Sequence, residues 1–340
     1  MLNIIRKILI DKRDAKIISR KNKIKEIIEK KKLNFKIKSF GNKNPNKFFY
    51  VIQRSPGGGM FSNLNYVIHH LYLAEKLNFI PVVDMANFPT LYNENKSIMG
   101  TLNSWEYFFE PVSPYTLKEV YKSKNVVITD KNTKKNKFFD GLRYLTNDHK
   151  KIFFKYIKIK KYLIKEKNNF LNKKLKNKNF LGVHFRGSDY KNRERHPLPA
   201  TKKQIVKNIN RLKKKFNFDY IFLVTEEKDY LNFLKKEFKN VISYSKLYTN
   251  KNQIFFESQI KDLRYKIGKT NIIDMLILSH SKHLLGIDSN LTDASIYFSK
   301  NKIPFTKIFN GYNSNNIFFA QIKWYIKKNL PYFLWGFKDN

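Results

Sequence analysis

A guanidinium, an imidazole and a carboxylate fall within a few residues of one another in Phe180-Leu-Gly-Val-His184-Phe-Arg186-Gly-Ser-Asp189-Tyr190. The apolar run before them (Phe180, Leu181, Val183, Phe185) reads as a buried strand that enters a polar, glycine-bearing turn. His184 and Arg186 are two apart, so on an extended chain they point to the same side. Arginine is the side chain best shaped to grip a diphosphate in bidentate fashion. The carboxyl end of a strand is where open α/β sheets bind ligands. The functional reading gives Arg186 the diphosphate, His184 a base or phosphate, and Asp189 the task of orienting the arginine. The alternative reading is a salt bridge between Arg186 and Asp189 that only shapes the turn.

Other groups could share this chemistry. Gly57, Gly58 and Gly59, followed by Asn63, stand between a strand-like and a helix-like segment, where backbone can approach a ligand closely. The loop fits neither the dinucleotide fingerprint nor the phosphate-loop lysine pattern, and a plain tight turn explains it equally. Asp274 lies in an otherwise apolar helical stretch, a costly place for a carboxylate without a partner. Such a group could accept hydrogen bonds from a guanine. Ser289 and Asn290 open a helix, where backbone N–H groups and the helix dipole favour phosphate, although Asp288 or Ser289 could simply cap it. Glu194 and His196, just past the arginine turn, could together take a proton. Asp84, at a strand end, is a further candidate base, and a surface loop is the bland reading of 192–199.

The elements that must position these groups alternate. The pattern predicts a strand over 48–53, a helix over 64–77 and a strand over 80–84. A lysine-laden helix is expected within 148–178. From 180 the rhythm restarts, with strands at 180–185, 220–225, 240–244, 283–287 and 304–308 and helices near 201–215, 227–238, 271–279 and 290–298. This implies a parallel sheet with helices on both faces. Domains are expected at 41–165 and 178–312, flanked by a basic amphipathic segment over 1–40 and a basic aromatic tail over 313–340.

Composition narrows the classes. The chain has 340 residues, 42% hydrophobic and 16% aromatic, which suits about two folded domains rather than disorder. Its net charge of +41 favours anionic partners: nucleic acid, anionic lipid or phosphorylated small molecules. The same charge could be compositional, since Lys, Asn and Ile abound together as in an AT-rich coding sequence. With no cysteine there are no disulfides, thiolate metal sites or cysteine nucleophiles, which fits a cytoplasmic protein. No apolar run approaches the roughly 18 residues of a membrane span, and the start is interrupted by charges unlike a signal peptide. The N-terminal segment and the Trp/Lys tail suit an anionic membrane surface, or the tail aromatics could pack as core. Nucleic-acid binding remains a rival class, but no zinc spacing, RNP-like motif or basic zipper supports it.

At three of these places the sequence resembles the fucosyltransferases that share a His-x-Arg-x-x-Asp motif. They include α1,6-fucosyltransferases, protein O-fucosyltransferases and bacterial α1,2 enzymes. The resemblance covers residues 50–85 and 180–300 in order and spacing. It implies two Rossmann-like domains facing a cleft (GT-B type), GDP-fucose as donor, inversion at the anomeric carbon and no metal; no Asp-x-Asp pair occurs in the chain. Gly58, Gly59 and Asn63 match the loop that faces the donor, and Arg186 the essential arginine on the diphosphate. His184 and Asp274 match the pair that meets guanine, Ser289 and Asn290 the phosphate-contacting helix start, and Glu194 a proposed base of the α1,6 branch. That branch has a second arginine where this chain has Gly187. The implied acceptor is a bacterial surface glycan or its lipid-linked precursor, met at the cytoplasmic face of a membrane. A GT-B enzyme with another nucleotide sugar is the neighbouring alternative.

Overall fold

Two blocks of apolar, strand-forming residues seed two separate sheets. The protein is described here from a computed structural model covering residues 36–129, 146–187, 189–244, 247–249, 255, 260–299 and 302–338, with isolated positions 15, 19, 22 and 26. The amphipathic segment expected over 1–40 lies almost wholly outside the described residues. The chain divides into two compact units, Met1–Lys158 and Ile159–Asn340.

In the first unit, β1 (Ile37–Lys38), β2 (Phe49–Ile52), β3 (Ile80–Val83) and β4 (Val126–Ile128) form a sheet in the order β1-β4-β2-β3. β2 runs parallel to both neighbours, and β1 is an antiparallel edge. α1 (Met60–Lys76) follows β2 and is buried along most of its length. It begins a turn earlier than the apolar pattern predicts. The Gly59 carbonyl accepts from the Ser62 and Asn63 N–H groups, and the Tyr92 hydroxyl accepts from Met60 N–H at 2.8 Å, so the extra turn is satisfied. α2 (Ser104–Phe108), α3 (Leu117–Val120) and α4 (Asn147–Tyr156) complete the unit.

The second unit opens with α5 (Lys161–Lys174). The single helix expected over 148–178 is thus two. Ile157 closes α4 with extended backbone (ψ 105°), and the break coincides with the unit boundary. Then come β5 (Phe180–His184), α6 (Lys202–Lys215), β6 (Tyr220–Val224), α7 (Lys228–Glu237), β7 (Val241–Ile242), α8 (Leu263–Leu278), β8 (His283–Gly286), α9 (Asn290–Phe298) and β9 (Phe305–Lys307). The sheet order is β7-β6-β5-β8-β9, and every pair is parallel. β5 is central and buried at every residue, as a parallel strand covered on both faces must be. The chain moves outward from β5 to β7 on one side, then crosses back to β8 on the other. The topological switch point therefore lies between β5 and β8, at their carboxyl ends.

The last helix, α10 (Ile317–Asn329), is pinned by its inner side. Trp324 is buried with Leu198 and Phe337, and its indole N–H donates to the Pro199 carbonyl at 2.9 Å. Pro199 also accepts from Asn310 Nδ2. Asn310 and Gln204 exchange amide hydrogen bonds of 2.8 and 3.0 Å, and Gln204 closes the capping box of α6 with Thr201. A Gln204→Leu change would leave Asn310 Oδ1 and the Thr201 N–H without their partners in a buried place. It should cost about 1–3 kcal/mol of stability, read as a lowered urea midpoint with an unchanged slope.

Candidate functional site

The carboxyl edge of the second sheet gathers most of the expected groups. Sheet register matches His184 with Val224 on β6 and Gly286 on β8. Two residues beyond this row stand Arg186, Glu226 and Asp288.

Arg186 forms a bidentate pair with Asp189, Nε to Oδ1 at 3.1 Å and Nη2 to Oδ2 at 3.0 Å, a contact that both the orienting and the turn-shaping readings contain. Its guanidinium lies over the Tyr190 ring, 4.7 Å from the centroid, and Nη1 has no hydrogen-bond partner among the described residues. Burial works against its charge, but Glu226, Tyr190 and Asp189 outweigh burial and hold its pKa above the ordinary arginine value. The side chain keeps 31% of its surface exposed, so the fork is accessible. Burial pushes the Asp189 carboxyl up; Arg186, with Arg193 and His196, overcomes this and holds it below the usual carboxylate range.

His184 is buried. Its Nδ1 meets the Thr292 hydroxyl at 2.9 Å and the Ser289 hydroxyl at 3.2 Å, while Nε2 has no partner among the described residues. Burial, with Arg186 nearby, pushes its pKa down to about 3, so the ring is neutral at physiological pH. Ser289 is indeed the N-cap of α9, accepting from Thr292 N–H at 3.1 Å. Ser289 caps this helix start, and Asn290 is its first helical residue. Asp274 sits on α8, which packs against α9. It is 3% exposed, and its Oδ1 has no hydrogen-bond partner. Burial pushes its pKa well above the ordinary range, so neutralisation relieves it. A buried acceptor without a partner costs folding free energy.

The segment with Glu194 and His196 is no loose loop. Arg195 N–H donates to Ser314 O, Asn313 N–H to His196 O and Leu198 N–H to Gly311 O, so residues 195–198 are laddered to 311–314. Arg195 adopts left-handed backbone (φ 61°) within that ladder. His196 Nδ1 lies 2.8 Å from the Glu194 carbonyl. A carbonyl only accepts, so Nδ1 holds the proton and Nε2 is the basic nitrogen of the neutral ring. Burial lowers the His196 pKa, which keeps that nitrogen free of a proton. Its ring meets the edge of Tyr190, so it sits beside the arginine turn.

In the first unit, the glycine loop is tied by Arg54. Its Nε donates to Asn63 Oδ1 at 3.0 Å and its Nη2 to Ser62 Oγ at 3.0 Å, while Gly58 N–H donates to the same Asn63 oxygen at 2.8 Å. Asn63 thus shapes the loop, and Gly57 supplies its left-handed turn (φ 78°). Gly59 faces open space, with nothing within 4 Å of a Cβ placed there. Asp84 is not available as a base: its oxygens accept from Ala86 N–H, Asn87 N–H, Asn87 Nδ2 and the Tyr121 hydroxyl. It is a satisfied turn carboxylate.

Sequence reasoning missed Glu226 and Thr292. Glu226 stands two residues past the end of β6, near Arg186, and the pair Glu226-Glu227 after a strand was the signal. It also passed over the reason for Gly187. A Cβ there would lie 2.6 Å from Glu227 Oε1 and 2.7 Å from the Phe185 ring. Phe185 is itself stacked flat on Tyr230, so a second arginine has no room. Among the described residues no group of three or more His, Asp or Glu could hold a metal ion.

A doubly wound parallel unit, with an accessible arginine fork at its switch point, defines a mixed α/β protein. Solved structures agree on the fold. The chain is similar to the fucosyltransferase NodZ from Bradyrhizobium (14% identity, TM-score 0.51, 80% of this chain and 100% of that one). It is also similar to NodZ α-1,6-fucosyltransferase co-crystallized with GDP (14% identity, TM-score 0.51, 78% and 96%). POFUT1 in complex with GDP-fucose is a looser match (11% identity, TM-score 0.44, 78% and 98%). No protein-family model and no curated protein sequence matches the chain.

Asp274 gives a prediction whose sign follows from its pKa. The unfolded carboxyl ionises near ~3.9, while the folded one resists, so the native state holds the extra proton. The resulting penalty grows as pH rises through that window. Asp274→Ala should therefore melt higher than the parent at pH 8, and this advantage should shrink toward pH 4. A gap independent of pH, measured by calorimetry, contradicts the assignment.

Proposed function

We propose that the protein is a glycosyltransferase that moves fucose from GDP-fucose to a hydroxyl of a glycan, with inversion and without a metal. The observation that carries this reading is the Arg186 fork, anchored on Asp189 with Nη1 unpartnered among the described residues, beside the His184–Ser289–Thr292 cluster. The orphaned carboxylate of Asp274 supports guanine in particular. A guanine offers adjacent N–H donors that a buried acceptor can take, and each such bond to a charged group is worth about 1.5–3 kcal/mol.

The chemistry asked of the chain is limited. The bond from the sugar carbon to the β-phosphate oxygen breaks, and the electron pair leaves with GDP. Arg186 stabilises the charge that grows there, and the N–H groups at the start of α9 assist. The acceptor oxygen bonds to the opposite face of the same carbon, and its proton passes to a base, either His196 Nε2 or Glu194. His184 and Asp274 hold the base of the nucleotide. Asp189 and Glu226 keep the arginine charged and aimed. The second unit serves the donor. The acceptor is a bacterial surface glycan or its lipid-linked precursor, reached from the cytoplasmic side. Gly187 argues against strict kinship with the α1,6 enzymes, which carry arginine there.

A melting-temperature panel tests the donor. GDP-fucose and GDP should raise the midpoint, GDP-mannose less and UDP-sugars not at all. Arg186→Lys, which keeps the charge but loses the fork, should lower turnover by about 10²–10³. Equal shifts with UDP-sugars, or full turnover in the Arg186→Lys variant, would reject this reading.

A further inference from the structure

α10 is amphipathic the wrong way round. At about 100° per residue, Phe318, Phe319, Ile322, Tyr325 and Ile326 share a sector about 120° wide, and all five are exposed. Ala320 and Trp324, on the opposite side, are the buried ones. A surface helix normally turns its apolar stripe inward; this one uses two residues to hold the protein and turns its broad apolar face to the outside. The short turn after the helix is exposed as well. Phe318, Phe333 and Trp335 are 77%, 79% and 85% exposed, and Tyr332 and Leu334 are exposed beside them. Trp335 takes left-handed backbone (φ 59°), which ends the short helix Tyr332–Leu334.

The charges say what covers this face. Between Ile317 and Lys338 there are four lysines and no carboxylate. On the helix, Lys323 and Lys328 lie just outside the apolar sector on opposite sides. Lys323 Nζ is held by the Tyr312 carbonyl at 2.8 Å, and Lys328 lies over the Trp324 ring. Apolar centre, aromatic rings at the ends and cations along both flanks is the layout of a helix lying in a bilayer interface: rings reach the acyl boundary while ammonium groups stay among anionic headgroups. A protein partner would not require a cation on each flank, and a second copy would set like charges against each other on a chain of net charge +41. Among the described residues no helix is long and apolar enough to cross a membrane, so the contact is lateral.

We propose that the outer face of α10 and the Tyr332–Trp335 turn form a docking surface for an anionic lipid bilayer. This does not rest on the donor assignment, and a failed nucleotide assay leaves it untouched. Sedimentation with vesicles tests it, using phosphatidylglycerol and phosphatidylcholine in equal parts against phosphatidylcholine alone. The parent protein should bind the anionic vesicles, with Trp335 emission shifting to the blue. A variant with Phe318→Ser, Phe333→Ser and Trp335→Ser should bind at least about tenfold more weakly. Lys323→Gln with Lys328→Gln should lose roughly fivefold per lysine at low salt. Circular dichroism of each variant should match the parent, since the altered side chains are not buried. Absence of the blue shift in the parent overturns the proposal. So does undiminished binding of the serine variant, which would reduce the contact to general charge. A dimer that the serine variant dissolves, with vesicle binding unchanged, assigns the face to a second copy and also overturns it.

Discussion

One row of the second sheet governs the site. Because β5 is hydrogen-bonded to β6 and β8 with His184 opposite both Val224 and Gly286, the residues two steps beyond leave the sheet at the same level. Phe185 N–H still donates to the Val224 carbonyl at 2.9 Å, which carries the ladder up to the arginine. A slip of one residue would reverse the face of every side chain along β5. It would part Arg186 from Glu226 and His184 from the Ser289 and Thr292 hydroxyls. The buried valines, leucines and phenylalanines of β5, β6 and β8 are what make such a slip costly.

The site combines one satisfied charge pair with one unsatisfied charge. Arg186 and Asp189 sustain each other, and Glu226 keeps the balance on the acidic side, so the fork is charged and held before any ligand arrives. Asp274 has no such support and works against the fold until something donates to it. Preorganisation and stored cost thus occur together in the second unit.

Much of the second unit was legible in the sequence because parallel strands leave continuous apolar runs. Phe180–Phe185 and Tyr220–Val224 could hardly be anything else. Boundaries failed where side chains outside the element decided them. Tyr92 starts α1 early, and the extended backbone at Ile157 cuts one expected helix into two. At the site, the Arg186–Asp189 pair follows from spacing alone. Glu226 did not emerge, because its nearness to Arg186 exists only once β6 lies beside β5. Asp84 misled for the opposite reason. A carboxylate at a strand end looks available until the turn that follows it supplies three donors and the distant Tyr121 a fourth.

The ladder between residues 195–198 and 311–314 joins two regions that the sequence keeps far apart. Its far strand leads within a few residues into α10, and Lys323 reaches back to the carbonyl of Tyr312 inside it. The Pro199 carbonyl, just past the near strand, is gripped by the indole of Trp324. Mechanically this is a rigid bracket. A sideways load on the outer helix is borne by the same backbone that carries Glu194 and His196, so its anchorage and the aim of those side chains share one lever.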